Sequence, residues 1–230
     1  MHSDNSFVLP TADAVAQDAA ARIAGAIRAT VADRGSCVVA LTGGNTPVPI
    51  YRRLAGHDVP WDRVHVTQTD DRVLPAAETG LNWRTIEETL LDPAGVPAER
   101  RHPMPVSGDP EAGAGAYAEL LKSLTDKGSA DLVLLQLGPD GHLASLFDGR
   151  YDPEDQAGVA VTSPGEGVLR MTQTLPSLTG AATRIVVATG AGKAEAVAKV
   201  RASTPDTLAT RTFLGSGGVL LLDDEAGAGR

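Results

Sequence analysis

At 230 residues the chain suits one domain or at most two, and a hydrophobic content of 42% allows a sizeable core, which argues against a disordered or fibrous protein. Aromatic residues make up only 3%, so the core is expected to rest on Ala, Val and Leu, and base-stacking platforms for single-stranded nucleic acid are not expected. The formal charge of -9, from 29 acidic and 20 basic residues, gives no positive footprint for nucleic acid or an anionic membrane, so any anionic ligand must be held by a local site.

The single cysteine, Cys37, lies in the apolar run Ser36–Leu41 and reads as a buried strand residue, which leaves no basis for a disulfide framework or a Cys-rich zinc site. The first residues lack the basic and then apolar pattern of a signal peptide. The longest apolar stretches, Leu132–Leu137 and Val219–Leu222, are too short to cross a bilayer, so a cytoplasmic protein is the expectation.

In chain order, Val15, Ala19, Ile23, Ile27 and Val31 recur every four residues and predict an amphipathic helix over 11–33. Thr11 and Asp13 are its capping candidates, and Gly35 ends it. Five short apolar runs follow: Cys37–Leu41, Val64–Thr67, Leu132–Leu137, Arg184–Ala188 and Val219–Leu222. They are continuous rather than alternating, as expected of strands buried on both faces. Between them lie helix-compatible segments, Val48–Leu54, Asn82–Leu91, Glu111–Leu124 and Lys193–Ala202. The alternation predicts a single α/β domain with an open, mainly parallel, Rossmann-like sheet flanked by helices. Stretches 92–110 and 148–168 read as loops, and 203–218 as an ambiguous connection.

In such sheets, ligands bind beyond the carboxyl ends of the strands, so the residues that follow each run carry the functional information. Thr42-Gly43-Gly44-Asn45-Thr46-Pro47 is a small-residue turn into a helix; it serves either as a plain turn or as a cradle of N–H groups for a phosphate. Thr69-Asp70-Asp71-Arg72 offers carboxylates and a guanidinium, or is simply a solvated charged loop. Gly138-Pro139-Asp140-Gly141-His142 places an imidazole two residues after a carboxylate, suiting a general base oriented by an acid. Gly190-Ala191-Gly192-Lys193 puts a lysine near a helix N-terminus, where its charge opposes the helix dipole and suggests a compensating ligand anion. With no HxxxH motif or His/Cys cluster, no metal is implied. The pattern by itself reaches a small phosphorylated substrate and acid–base chemistry.

The run Leu137-Gly138-Pro139-Asp140-Gly141-His142-Leu143-Ala144-Ser145-Leu146-Phe147 closely resembles the GxDGHTASLFP signature of 6-phosphogluconolactonases. The resemblance extends in order through Gly43–Pro47 (GGSTP), Asp70–Arg72 (DER), Asn82, Arg170–Thr172 (RxT) and Gly190–Lys193 (GxxK), about residues 35–200 in all. It implies that residues 1–230 form one sugar-phosphate-binding domain that hydrolyses 6-phospho-D-glucono-1,5-lactone in the pentose phosphate pathway without metal or organic cofactor. By the same resemblance His142 would activate water, with Asp140 or Asp70 positioning it or the sugar. Gly43, Gly44, Thr46, Arg72, Arg170 and Lys193 would hold or face the phosphate. The chain departs from the family pattern at Asp71 (Glu), Leu143 (Thr), Asp148 (Pro), Gln136 (Gly) and Leu81 (Ser).

Two other readings compete. The related glucosamine-6-phosphate deaminases have a His loop resembling DGHIAFNEP; Ala144–Asp148 lacks the acidic residue that would assist ring opening, which favours the lactonase. A non-catalytic sugar-phosphate-binding module would need Lys193 and the Gly43–Thr46 turn but not His142. Oligomeric state is not legible in the sequence.

Overall fold

Strands and helices alternate along most of the chain in the computed structural model, which describes residues 5–75, 78–125, 127–202, 208–214 and 217–228. The first half holds β1 (Ser6–Leu9), α1 (Ala12–Arg34), β2 (Cys37–Leu41), α2 (Val48–Leu54), β3 (Val64–Gln68) and β4 (Asp70–Arg72). Then come α3 (Asn82–Ile86), prolonged by a π turn over Glu87–Leu91, α4 (Pro110–Leu124), β5 (Leu132–Gln136), β6 (Val159–Thr162) and β7 (Arg170–Gln173). The last part is α5 (Leu175–Thr179), β8 (Thr183–Ala188), α6 (Ala194–Arg201), α7 (Leu208–Leu214), β9 (Gly218–Asp223) and α8 (Asp224–Gly227).

Six strands form a parallel sheet in the order β1-β9-β8-β5-β2-β3. Neighbouring positions on one strand serve opposite faces of this sheet. Val39, Leu41 and Leu134 join α1, α2 and α3 in one core, whereas Val38, Ala40, Val133 and Leu135 join α5 and α6 in another. Both faces are therefore apolar, which accounts for the continuous hydrophobic runs. Thr11 caps α1, its Oγ1 accepting from Ala14 N at 3.1 Å, and Gly35 closes it at φ 81° with its N–H on Val31 O (2.8 Å). Ile23 and Ile27, wholly buried on the inner face of that helix, each contribute about 1.5–3 kcal/mol by burial. Cys37 is buried in β2, where desolvation, helped by the charge of Asp131, pushes its thiol up to about 12. It is a packing residue with negligible thiolate at neutral pH.

The strand order reverses between β2 and β5: β3 continues outward from β2, while β8 and β9 continue from β5 on the other side. The carboxyl ends of β2 and β5 thus border the crevice in which open α/β sheets bind ligands.

Besides two short unexpected helices, α5 and α8, the architecture differs from the sequence expectation in three places. A sixth strand, β1, pairs in parallel with β9 at the sheet edge, where Phe7 and Val8 remain exposed. The segment Asp70–Arg72 is not a loop but the first strand of a separate antiparallel sheet, β4-β7-β6, whose third strand lies within the stretch 148–168 read as a loop. Finally, the ambiguous connection 203–218 contains α7 at 208–214, while residues 203–207 and 215–216 lie outside the described residues. The small sheet packs on α4 through Tyr117, Leu121 and Met171 and stands beside the β2 end of the large sheet, where Thr69 N donates to Leu41 O at 2.9 Å.

Candidate active site

A cleft of about 300 Å³ opens at the point where the strand order reverses, at the small end of the usual range for small-molecule sites. Six pieces of chain build it: the Thr42–Gly44 turn after β2, strand β4, Asn82 at the start of α3, the end of β5 with the His142 loop that follows, Pro164 between β6 and β7, and Arg170 at the start of β7.

The turn is held from behind. Tyr51, wholly buried on α2, donates its hydroxyl to Thr42 O (2.5 Å). Gly43 packs so tightly on Asn82 that a Cβ would lie 2.0 Å from the Asn82 Cγ, so the position requires glycine. Gly44 takes φ 92°, a left-handed conformation that side chains other than glycine rarely adopt. Among the described residues, neither the Gly43 nor the Gly44 backbone N–H donates within the protein, and both residues line the cleft.

The two adjacent carboxylates of β4 do different work. Asp71, 1% exposed, accepts from the backbone N–H groups of Asn82 (2.7 Å) and Trp83 (3.0 Å), from Arg72 N (2.8 Å) and from Gln68 Nε2 (2.7 Å). It ties the start of α3 to the small sheet and does not line the cleft. Asp70 faces the cleft, receiving Ser145 Oγ at 2.7 Å and Thr69 Oγ1 at 2.9 Å. Burial pushes its carboxyl above the ordinary range, against the opposing effect of those two hydrogen bonds.

Arg72 and Arg170 are cross-strand partners in the β4–β7 ladder. Arg72 Nη1 donates to Asn82 Oδ1 (3.1 Å) and to the Gly80 carbonyl. Arg170 lines the same wall, and its buried Nε has no hydrogen-bond partner. Burial, together with the charge of Arg72, lowers the Arg170 pKa from its usual value. Among the described residues neither arginine forms an ion pair. Asp70 and Asp71 offset part of the Arg170 charge without forming an ion pair with it, which leaves two guanidinium groups on adjacent strands suited to an anion.

His142 lines the same cleft, with its Nδ1 2.5 Å from Asp140 Oδ1 and its ring 5.0 Å from that of Phe147. Burial acts to raise the Asp140 carboxyl, but the hydrogen bonds and charge attraction of His142 outweigh it and hold the group below its usual range. Gly138 makes room for this pair, since a Cβ there would lie 2.3 Å from His142 Nδ1 and 2.7 Å from Asp140 Oδ1. Ala144, two residues on, has φ 49°, a conformation costing about 1–2 kcal/mol outside glycine. Burial of Leu143 and Leu146 on either side holds it there.

Of the residues singled out by sequence, the cleft brings together Gly43, Gly44, Asp70, Arg72, His142 and Arg170. Asp140 joins them through His142. Lys193 ends a 3₁₀ turn over Ala191–Lys193, directly before α6, within electrostatic reach of Asp140 but not on the lining of the cleft. Burial lowers its pKa and Asp140 opposes that shift. Thr46 borders a neighbouring cavity with Asp13 and Thr189 instead. Sequence reasoning missed Ser145, which holds Asp70, and the cleft-lining role of Gln136; Asn82 was noted only as part of a motif. Among the described residues no three His, Cys, Asp or Glu side chains come together as metal ligands.

An open parallel sheet whose cleft joins two arginines to a His bonded to an Asp defines an α/β protein equipped to bind a small phosphorylated molecule. The sequence profile described as glucosamine-6-phosphate isomerases/6-phosphogluconolactonase matches residues 10–219, and the chain belongs to that family. It is 34% identical over 212 residues to a 6-phosphogluconolactonase from Synechocystis, covering 87% of this chain and 88% of that one. The 6-phosphogluconolactonase structure from Trypanosoma brucei matches 99% of both chains with a TM-score of 0.87 at 26% identity. A monomeric glucosamine-6-phosphate deaminase matches with a TM-score of 0.86 at 20% identity, a likeness of fold alone.

Proposed function

We propose that this chain, acting as one sugar-phosphate-binding domain, hydrolyses 6-phospho-D-glucono-1,5-lactone to 6-phosphogluconate, the oxidative pentose phosphate reaction. The observation that carries the reading is the His142–Asp140 pair, 2.5 Å apart, sharing one small cleft with Arg72 and Arg170.

The hydrogen bond to Asp140 keeps the proton on Nδ1 of neutral His142 and leaves Nε2 as the base. A water attacks the lactone carbonyl carbon while His142 Nε2 takes its proton. The free N–H groups of Gly43 and Gly44 are suited to receive the oxyanion that forms. Collapse of the tetrahedral intermediate breaks the bond from that carbon to the ring oxygen. The imidazolium returns its proton to the departing alkoxide, which restores neutral His142. Arg72 and Arg170 hold the phosphate, with Lys193 adding positive charge nearby; Asp70, fixed by Ser145 and Thr69, orients sugar hydroxyls on its wall. No step calls for a metal or an organic cofactor, and the cytoplasm is the compartment that this sugar-phosphate reaction implies.

The test is the rate of hydrolysis of freshly generated lactone, corrected for the spontaneous reaction, with and without chelator. Acceleration that chelator leaves unchanged is expected. A rate equal to that of buffer removes the reading, and ammonia release from glucosamine 6-phosphate would put the deaminase in its place.

A further inference from the structure

We propose that Gln136 recognises a ring hydroxyl of the substrate, an inference that rests on the lactonase reading and assigns a specificity residue to its cleft. Gln136 is the last residue of β5, Leu-Val-Leu-Leu-Gln, whose four preceding side chains are all buried and apolar. It breaks that pattern at the carboxyl end of the strand, where the ligand crevice begins, and its side chain lines the cleft with His142 and Gly44.

Its Oε1 is buried and has no hydrogen-bond partner. Only one other side-chain atom among the described residues shares that condition, and it is Arg170 Nε in the same cleft. An unpaired buried acceptor destabilises a protein, and an apolar residue of similar length would remove the penalty. The environment also accommodates this amide closely: a Cβ on Gly44 would lie 2.9 Å from Oε1 and 3.1 Å from Nε2. Rotation about the terminal torsion, which is soft for an amide, turns either polar atom toward the cleft. A hydroxyl both donates and accepts, so a polyhydroxylated ring satisfies the amide in either orientation. A phosphate has no proton to offer the oxygen and already faces two arginines.

The test uses Gln136→Met, which keeps the length and removes both hydrogen-bonding atoms. Its kcat/KM for 6-phosphogluconolactone should fall about 10-fold, chiefly through KM, as expected for one lost hydrogen bond. Its melting temperature should stay level or rise, which a merely structural glutamine would not allow. With the 2-deoxy, 3-deoxy and 4-deoxy phosphorylated lactones as substrates, one analogue should be handled alike by wild type and variant, because the group that Gln136 contacts is already gone. Unchanged kinetics of the variant, or the same loss on all three analogues, overturns the proposal while leaving the lactonase reading intact. A wild-type protein that does not accelerate lactone hydrolysis removes that reading, and this assignment with it.

Discussion

Arg72 and Arg170 face each other across the β4–β7 ladder, and among the described residues neither is paired with a carboxylate. Like charges on adjacent strands repel, and a dianion between them converts the repulsion into attraction. Arg170→Ala should therefore reduce kcat/KM for 6-phosphogluconolactone by about 2–4 kcal/mol, the range for a truncated buried charge contact, and should spare unphosphorylated gluconolactone. Lys193→Ala should act in the same direction with a smaller effect, since that residue lies off the cleft lining. Equal losses on both lactones would give the arginine a role other than holding phosphate.

The second prediction separates the neighbouring carboxylates. Asp71 accepts four hydrogen bonds and is buried, so Asp71→Ala leaves the Asn82 and Trp83 N–H groups unpaired. Stability should fall by about 2–4 kcal/mol, or about 5–15 °C in thermal unfolding of a chain this size. Asp70→Asn should cost less stability and more catalysis, because its oxygens are held by hydroxyls that can also donate to an amide oxygen. A melting temperature for Asp71→Ala within about 2 °C of wild type would contradict this anchoring role.

These carboxylates also mark where the sequence was legible and where it was not. The Asp70–Arg72 motif stood out by its charge, but its strand character comes from pairing with Arg170–Thr172, about a hundred residues away, and three polar residues carry no alternation to announce it. Asp71 looked like part of a site for the same reason; the N–H groups it caps are eleven and twelve residues on, beyond any local capping pattern. The β1 strand was hidden because an edge strand needs no two-faced burial, and Phe7 and Val8 are exposed. The other five strands of the large sheet, the four central ones and the edge strand β3, were legible because their side chains are almost all buried. The His142 loop was legible because its Asp and His are two residues apart and bond each other directly.

A third prediction concerns stability at mildly acid pH. His65 Nδ1 and His102 Nε2 lie 2.8 Å apart in a stacked pair, with Arg100 against His65. Burial, then neighbouring positive charge, lowers both imidazole pKa values in the folded protein. The unfolded chain therefore binds protons more readily, and the contribution of these neutral rings, fully present above the unfolded value of about 6.5, is lost as pH falls through the lower folded values. Melting temperature should drop between about pH 7 and pH 5, and the drop should be shallower in a His65→Gln, His102→Gln double variant. An identical slope in both proteins would show that other groups govern acid stability.

The last prediction joins His142 to Asp140. If Nε2 takes the proton of the attacking water, His142→Ala should lower kcat by about 10²–10⁴-fold while leaving melting temperature and affinity for 6-phosphogluconate near wild type. Because the lactone also hydrolyses by itself, the background must be subtracted before the two rates are compared. Asp140→Asn should preserve the ring's position but weaken the preference for the Nδ1–H tautomer, giving a loss in kcat that is smaller than that of His142→Ala and carried by kcat rather than KM. A folded His142→Ala protein with near wild-type kcat would move the base elsewhere, and Asp70, a carboxylate on the cleft lining, would be the next residue to substitute.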